Sequence, residues 1–463
     1  MNFKLADIIT DTNKDIASSL YIDPLGMLVI WSSYGEAIFE KRVNSISNDV
    51  RNFTVNLMHH GVVQSLVSDS SFVIPEHLKS LVGDKTSSRF AQTCLLHLEN
   101  IYVFSMLTAT ESNLDSSGIL GSNNGRKKLN KSNDNPTLIF TNGSNGQILV
   151  RQLGLGVSGR YRTPFLELGY FDKYYHYNHD DISKQRWNDY GKLLAKESLL
   201  QSYFDAAVSH IKRLIKNTES SKLPPEIQFT DISEGLKQTC RSAFLSSKEV
   251  GKITRDYWLN VTGLDHGAAG ALLKVLKLNS EKEKVVPIEP ENIFADALDL
   301  TDGEARQKLE HVMQVEPFLT RINLLFTLIC RQNSQTMRDI ESEWLKNGGT
   351  NATLADLYKN ISDSAKHVLA GSARRRFEKL ADVAKCLTVD EQISELISYH
   401  KSVMHTRGQQ PWVELRNGAT KLHARPLSPP DSAKELKWIN SYYLHQFNNL
   451  IRGYFGGNDH AND

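Results

Sequence analysis

From about residue 182 almost to the end of the chain, apolar residues recur three and four positions apart. That period belongs to helices that bury one face, and it makes the chain predominantly α-helical. "LLAKESLLQSYFDAAVSHIKRLI" reads as an amphipathic helix, and "LPPE" after it marks a break. "GAAGALLKVLKL" continues the pattern, and long helices are expected over roughly 302–345, 364–387, 390–404 and 433–452, the last with Leu436, Tyr443, Phe447 and Leu450 on one side.

The N-terminal part reads differently. "GMLVIWSS" and "EAIFEKRV" are β-rich runs joined across Tyr34-Gly35, which predicts a hairpin. A helix should follow, capped by Ser47 and lined by Val50, Phe53, Leu57, Val63 and Leu66, with a second apolar helix over 89–109. Residues 111–135, rich in Asn, Ser, Gly and Lys, read as a mobile loop. "PTLIF" and "QILVRQL" suggest another hairpin, and "WVELRNGATKLHA" a third, its Asn417-Gly418 suited to a type I′ turn. The expected class is therefore α+β, mostly helical, with short hairpins.

A chain of 463 residues exceeds one ordinary core. The composition shifts suggest a mixed domain over 1–180, a helical domain with an acidic section over 181–350, and a helical domain with a hairpin at about 411–425 over 351–463. Cys94, Cys240, Cys330 and Cys386 are far apart, with no C-x-x-C, and read as buried thiols in a reducing compartment. No signal-peptide pattern opens the sequence, so the expected location is the cytoplasm, without a membrane partner.

The net charge of +1 conceals strong local imbalance. Residues 121–162 hold seven Lys/Arg against one acid, Asp134; residues 281–364 hold nine against fifteen; residues 366–452 hold fourteen against eight. Two basic zones thus flank an acidic one. The first contains Arg126, Lys127, Lys128, Arg151, Arg160 and Arg162; the second contains Arg374, Arg375, Arg376 and Arg407. Guanidinium forks beside flexible backbone suit phosphate, so these ten residues are the candidate nucleic-acid contacts.

"RQLGLGVSGRYRTPF" contains Gly154-x-Gly156-x-x-Gly159, the glycine spacing of a dinucleotide-binding turn. Such a turn needs a strand before it and a helix starting at the third glycine. "RYRTPFLELGYF" promises no helix, so the glycines are expected to shape a tight turn between short strands. "YHYNHDD" offers His176, His179, Asp180 and Asp181 without a well-spaced further metal ligand. His59 and His60, adjacent on a helix, should point apart, one at a partly buried surface. There is no P-loop, G-x-S-x-G, H-E-x-x-H or kinase signature. No cofactor, metal site or catalytic residue is expected.

"SISNDVRNFTVNLMHH" together with "LGVSGRYRTPFLELGYFD" resembles accessory, non-ATPase subunits of bacterial phage-defence operons, the restriction partners of DNA phosphorothioation systems among them. The resemblance covers roughly residues 20–180 and implies a role in an assembly with an ATPase or nuclease. The expected function is a non-catalytic subunit of an anti-phage complex that touches DNA or RNA through its basic zones and docks partners through its acidic helices. The alternative is a divergent nuclease or nucleotide-handling enzyme with a site near residues 151–181.

Overall fold

The computed structural model describes residues 23–45, 49–110, 114–245, 251–280, 288–429 and 437–455. Helices make up 64% of it, with a few short antiparallel strands, so the fold is a predominantly α-helical α+β. By packing, the residues fall into two units: Met1–Ile38 with Lys274–Tyr442, and Phe39–Leu273 with Tyr443–Asp463. The borders expected from composition lay at 180 and 350. Composition follows the chain locally, whereas each unit joins segments far apart in sequence, as where the Tyr34 hydroxyl donates to the Ala365 carbonyl at 2.9 Å.

The unit holding Phe39–Leu273 is organised on the Val50–Ser68 and Ser88–Leu107 helices, whose buried residues occupy nearly every direction around each axis. A helix buried all round needs polar residues that find partners inside. Arg51 donates to the Asp115 and Ser117 carbonyls, and Trp258 Nε1 donates to Thr54 Oγ1 at 3.1 Å. Phe53 packs against Tyr161 and Trp258, with ring centroids 4.8 and 5.6 Å away. The Val50–Ser68 helix is capped by Asp49, whose side chain accepts from the Arg51 amide. Ser47, the expected cap, lies outside the described residues.

The other unit surrounds the Gly303–Ile329 helix, on which Pro290–Leu298, Met337–Lys346, Thr353–Lys359 and Val389–Thr406 pack. Among the described residues this is the single helix long and apolar enough to cross a membrane, and 72% of its apolar window is buried within the protein. Its Glu316 is a fully buried carboxylate with five donors. Trp31 Nε1 and the Tyr442 hydroxyl donate to Oε2 at 2.7 and 2.6 Å. The Ile439 and Asn440 amides and Thr320 Oγ1 donate to Oε1.

Several local expectations need correction. "GMLVIWSS…EAIFEKRV" is not a hairpin: Leu28–Phe39 is one helix, and its Ile30, Trp31, Tyr34, Ile38 and Phe39 are buried by tertiary packing that overrides their local preference. "QILVRQL" forms no strand; Thr137–Ile139 pairs instead with Glu226–Gln228, Leu138 opposite Ile227. The run through 193–215 divides into Asp181–Leu194 and Ser198–Asn217, and that over 302–345 divides at a strand, Ser334–Thr336. The last helix is Leu444–Phe455; Leu436 lies outside the described residues. The C-terminal hairpin forms as expected, Val413–Arg416 with Ala419–Leu422, and Ser334–Thr336 adds on the far side of the second strand. Asn417 and Gly418 take φ of 52° and 76°, the left-handed pair of a type I′ turn.

Candidate nucleic-acid interface

The glycine-rich segment is a chain of short helical turns, Gln152–Leu155, Val157–Arg160 and Arg162–Glu167, not a turn between strands. Gly159 lies inside a turn, and a Cβ there would meet Gly154 Cα at 2.6 Å. A Cβ on Gly156 would stand 2.1 Å from Glu99 Oε1. The glycines therefore permit close approach of backbone to backbone and of backbone to a carboxylate.

That carboxyl group is bound by the loop itself. Glu99 Oε2 accepts from the Ser158 amide at 3.4 Å, and Oε1 accepts from Gln152 Nε2 at 3.1 Å. Gln152 Nε2 also donates to Asn100 Oδ1, while Gln152 Oε1 accepts from the Ile148 amide at 2.7 Å. Burial pushes the Glu99 carboxyl up to about 7, opposed by the Val157 and Ser158 amides, Gln152 and the Arg160 charge. The loop thus holds a carboxyl group belonging to its own chain.

The basic residues of 121–162 are placed more usefully. Ser122–Lys131, expected as loop, is a helix carrying four cations and no carboxylate. It is held by an inner face of Gly125 and Leu129; a Cβ on Gly125 would come within 2.7 Å of Leu107 Cδ1. Asn124 Nδ2 donates to the Ile148 carbonyl at 3.2 Å and Lys128 Nζ to the Gln147 carbonyl at 2.8 Å, which fixes the helix in rotation. Burial lowers the Lys128 pKa. Lys128 and Lys131 in the last turn also complement the negative end of the helix dipole. Asn123, Arg126, Lys127, Asn130 and Lys131 are left exposed, at the three- and four-residue spacing of one helix face.

Arg126 Nη2 lies 3.5 Å from Ser116 Oγ, and among the described residues Arg126, Lys128, Lys131, Arg151, Arg160 and Arg162 form no ion pair with a carboxylate. Arg151 is exposed with φ of 58°. Arg162 is partly buried, its guanidinium 5.2 Å from the Tyr175 ring centre and donating to the Lys173 carbonyl at 2.7 Å.

The second basic zone is mostly turned to intramolecular partners. Arg374 pairs with Glu378, Arg376 donates to the Gly26 carbonyl at 2.8 Å, and Arg407 binds the carbonyl and carboxylate of Asp23. Arg375 is exposed. Acids of the acidic zone are similarly engaged, Glu304 with Lys308, Glu310 with Arg306 and Asp356 with Lys359.

His176 and His179 serve the local fold: His176 Nδ1 meets Asp172 at 2.8 Å, and His179 sits beside Asp180, which caps the Asp181–Leu194 helix by accepting from the Ser183 amide. Asp181 pairs with Lys184 at the surface. His59 and His60 are both buried, contrary to the expectation for one of them, and they face separate phenols, Tyr203 at 2.8 Å and Tyr177 at 2.9 Å. A further buried pair, His97 and His210, shares a 3.0 Å Nε2···Nε2 hydrogen bond. Cys94, Cys240 and Cys330 are buried free thiols and Cys386 is partly exposed. Among the described residues no group of three or more His, Cys, Asp or Glu side chains is arranged to hold a metal.

Sequence reasoning missed Asn123, Asn130 and Lys131 because two anchors, Gly125 and Leu129, give too sparse an apolar period to announce a helix. Glu99 was missed because it lies inside an apolar run with nothing local to mark it. No protein-family model, curated protein or solved structure matches this chain.

Proposed function

We propose that this protein is a non-catalytic subunit of a nucleic-acid-processing assembly, and that the Ser122–Lys131 helix is its contact with nucleic acid. One observation carries the reading: this helix bears four cations with no carboxylate of its own. Elsewhere surface lysines commonly have an acid three residues away, as in Lys79–Glu76, Lys184–Asp181, Lys366–Asp363 and Lys385–Asp382. A cationic helix that carries no acid of its own fits an external polyanion, and phosphate neutralised by such a face releases condensed counterions. Arg151, exposed just beyond the Gln147 and Ile148 carbonyls that hold the helix, extends the same basic segment. The resemblance of residues 45–60 and 155–172 to accessory subunits of phage-defence operons supports a bacterial, cytoplasmic restriction setting, with the chemistry supplied by a partner ATPase or nuclease.

The test is the affinity of the full chain for duplex DNA and for RNA across several salt concentrations. Removing one phosphate-neutralising cation should flatten the log–log salt dependence on duplex DNA by about 0.9. Arg126→Glu with Lys127→Glu should weaken binding and flatten that slope; Arg374→Glu with Arg376→Glu should change it less. Binding that is absent, or indifferent to the Arg126 and Lys127 substitutions, overturns the proposal.

A further inference from the structure

The exposed face of the Ser122–Lys131 helix has an internal order. Successive residues turn by about 100° around an α-helix, since 3.6 residues complete a turn. On that scale Asn123 and Asn130 lie about 20° apart, near the middle of the exposed arc. Arg126 stands to one side of them by about 40–60°, and Lys127 and Lys131 stand to the other by about 40–100°. The face is therefore a ridge of two carboxamides with one cation, Arg126, on one flank and two, Lys127 and Lys131, on the other. Opposite it, Gly125 and Leu129 are buried, so the ridge is presented outward by the packing of the inner face.

Resting on the nucleic-acid reading above, we infer that this helix enters the major groove of duplex DNA, its flanking cations on the two phosphate walls and Asn123 and Asn130 on the base edges. The groove of B-form DNA admits an α-helix, whereas that of A-form RNA is too deep and narrow for side chains to read. Cations on both sides match a groove with phosphate on each side. A single phosphate track, as on a single strand, asks for cations on one side.

The carboxamide also selects the base. Asparagine offers one acceptor and one donor side by side, which complement the adenine N6 amine and N7 in the major groove. Asn123 and Asn130 are separated by about 10 Å along the helix axis, close to the span of three base pairs. The site recognised is thus two adenines about three steps apart, on one strand or divided between the two. Neither asparagine side chain makes a hydrogen bond among the described residues, in contrast to Asn124, which is committed to the Ile148 carbonyl.

The experiment uses the full chain and duplexes of equal length, one series rich in A·T and one in G·C, with single-stranded DNA and duplex RNA as further probes. The inference expects tighter binding to A·T-rich duplex than to the other three. Asn123→Ala with Asn130→Ala should lower that preference roughly 5-fold or more while leaving the salt slope unchanged. Arg126→Ala with Lys127→Ala should do the reverse, flattening the slope and keeping the preference. Both pairs are exposed, so unchanged thermal unfolding is the check on folding. Binding without base preference, or a preference that survives loss of both asparagines, overturns the groove inference and leaves nucleic-acid contact standing. Tighter binding to single strands or to RNA also overturns it. No binding to any probe overturns the underlying reading, and this inference with it.

Discussion

Glu99 and Gly156 fit each other so closely that any side chain at 156 would displace the carboxylate: a Cβ there would lie 2.1 Å from Glu99 Oε1 and 2.8 Å from the Gln152 carbonyl. Gly154, two residues earlier, faces open space. The same motif thus contains two glycines that packing requires, Gly156 and Gly159, and one that it does not.

Gly156→Ala should therefore destabilise the protein by about 1–3 kcal/mol, as overpacking of a filled site does. Gly154→Ala should be neutral or stabilising by up to about 1 kcal/mol, because it restricts the unfolded chain without meeting a neighbour. Urea unfolding of the two variants separates these outcomes. Equal losses would show that the Glu99 contact is not what constrains position 156.

Stability should depend on pH in two opposed ways. Burial pushes His59 down to about 3 and His210 down to about 4, and lowers His60 and His97 as well. Groups with depressed values in the folded state contribute stability above their unfolded value near 6.5, and that stability is lost as pH falls toward 4 and below. Glu99 behaves oppositely, its contribution being complete below its ordinary 4.5 and lost as pH rises through about 7. Glu99→Gln should therefore make the acid-side loss steeper, by at most about 1.4 kcal/mol per pH unit, while His210→Gln makes it shallower. Chemical denaturation across this pH range measures both. A Glu99→Gln curve parallel to that of the unsubstituted protein would remove the carboxylate from the account.

Glu316 should be the most costly polar position in its unit. Glu316→Ala leaves the Trp31 indole, the Tyr442 hydroxyl and two backbone amides without their acceptor, at a cost of about 3–5 kcal/mol. Glu316→Gln keeps one acceptor oxygen and should cost less. Thermal unfolding with Trp31 fluorescence as a local probe tests the ranking, and an Ala variant as stable as the Gln variant would contradict it.

What the sequence revealed, and what it concealed, follows from how local each signal is. The Asn417-Gly418 hairpin was legible because its turn chemistry resides in the two residues that adopt positive φ. Leu28–Phe39 was not, because its half-exposed face carries few polar residues and its Val29, Ile30 and Trp31 favour strands when read alone. The Gly154–Gly159 spacing showed that backbone approaches something closely. Identifying that partner required Glu99, more than fifty residues earlier in the chain. The cations of 121–162 were visible as charge. Their arrangement around Asn123 and Asn130 emerged only once Gly125 and Leu129 had set the helix's inner face.

The central claim, that the Ser122–Lys131 helix is the surface that meets nucleic acid, is tested most directly by chemical protection. Lysines of the full chain are acetylated with and without saturating duplex DNA, and each site is quantified by mass spectrometry. Lys127 and Lys131 should be protected by DNA, while Lys184 and Lys359, also exposed on other helices, should react at unchanged rates. Protection spread evenly over all lysines, or concentrated away from Lys127 and Lys131, would contradict the account.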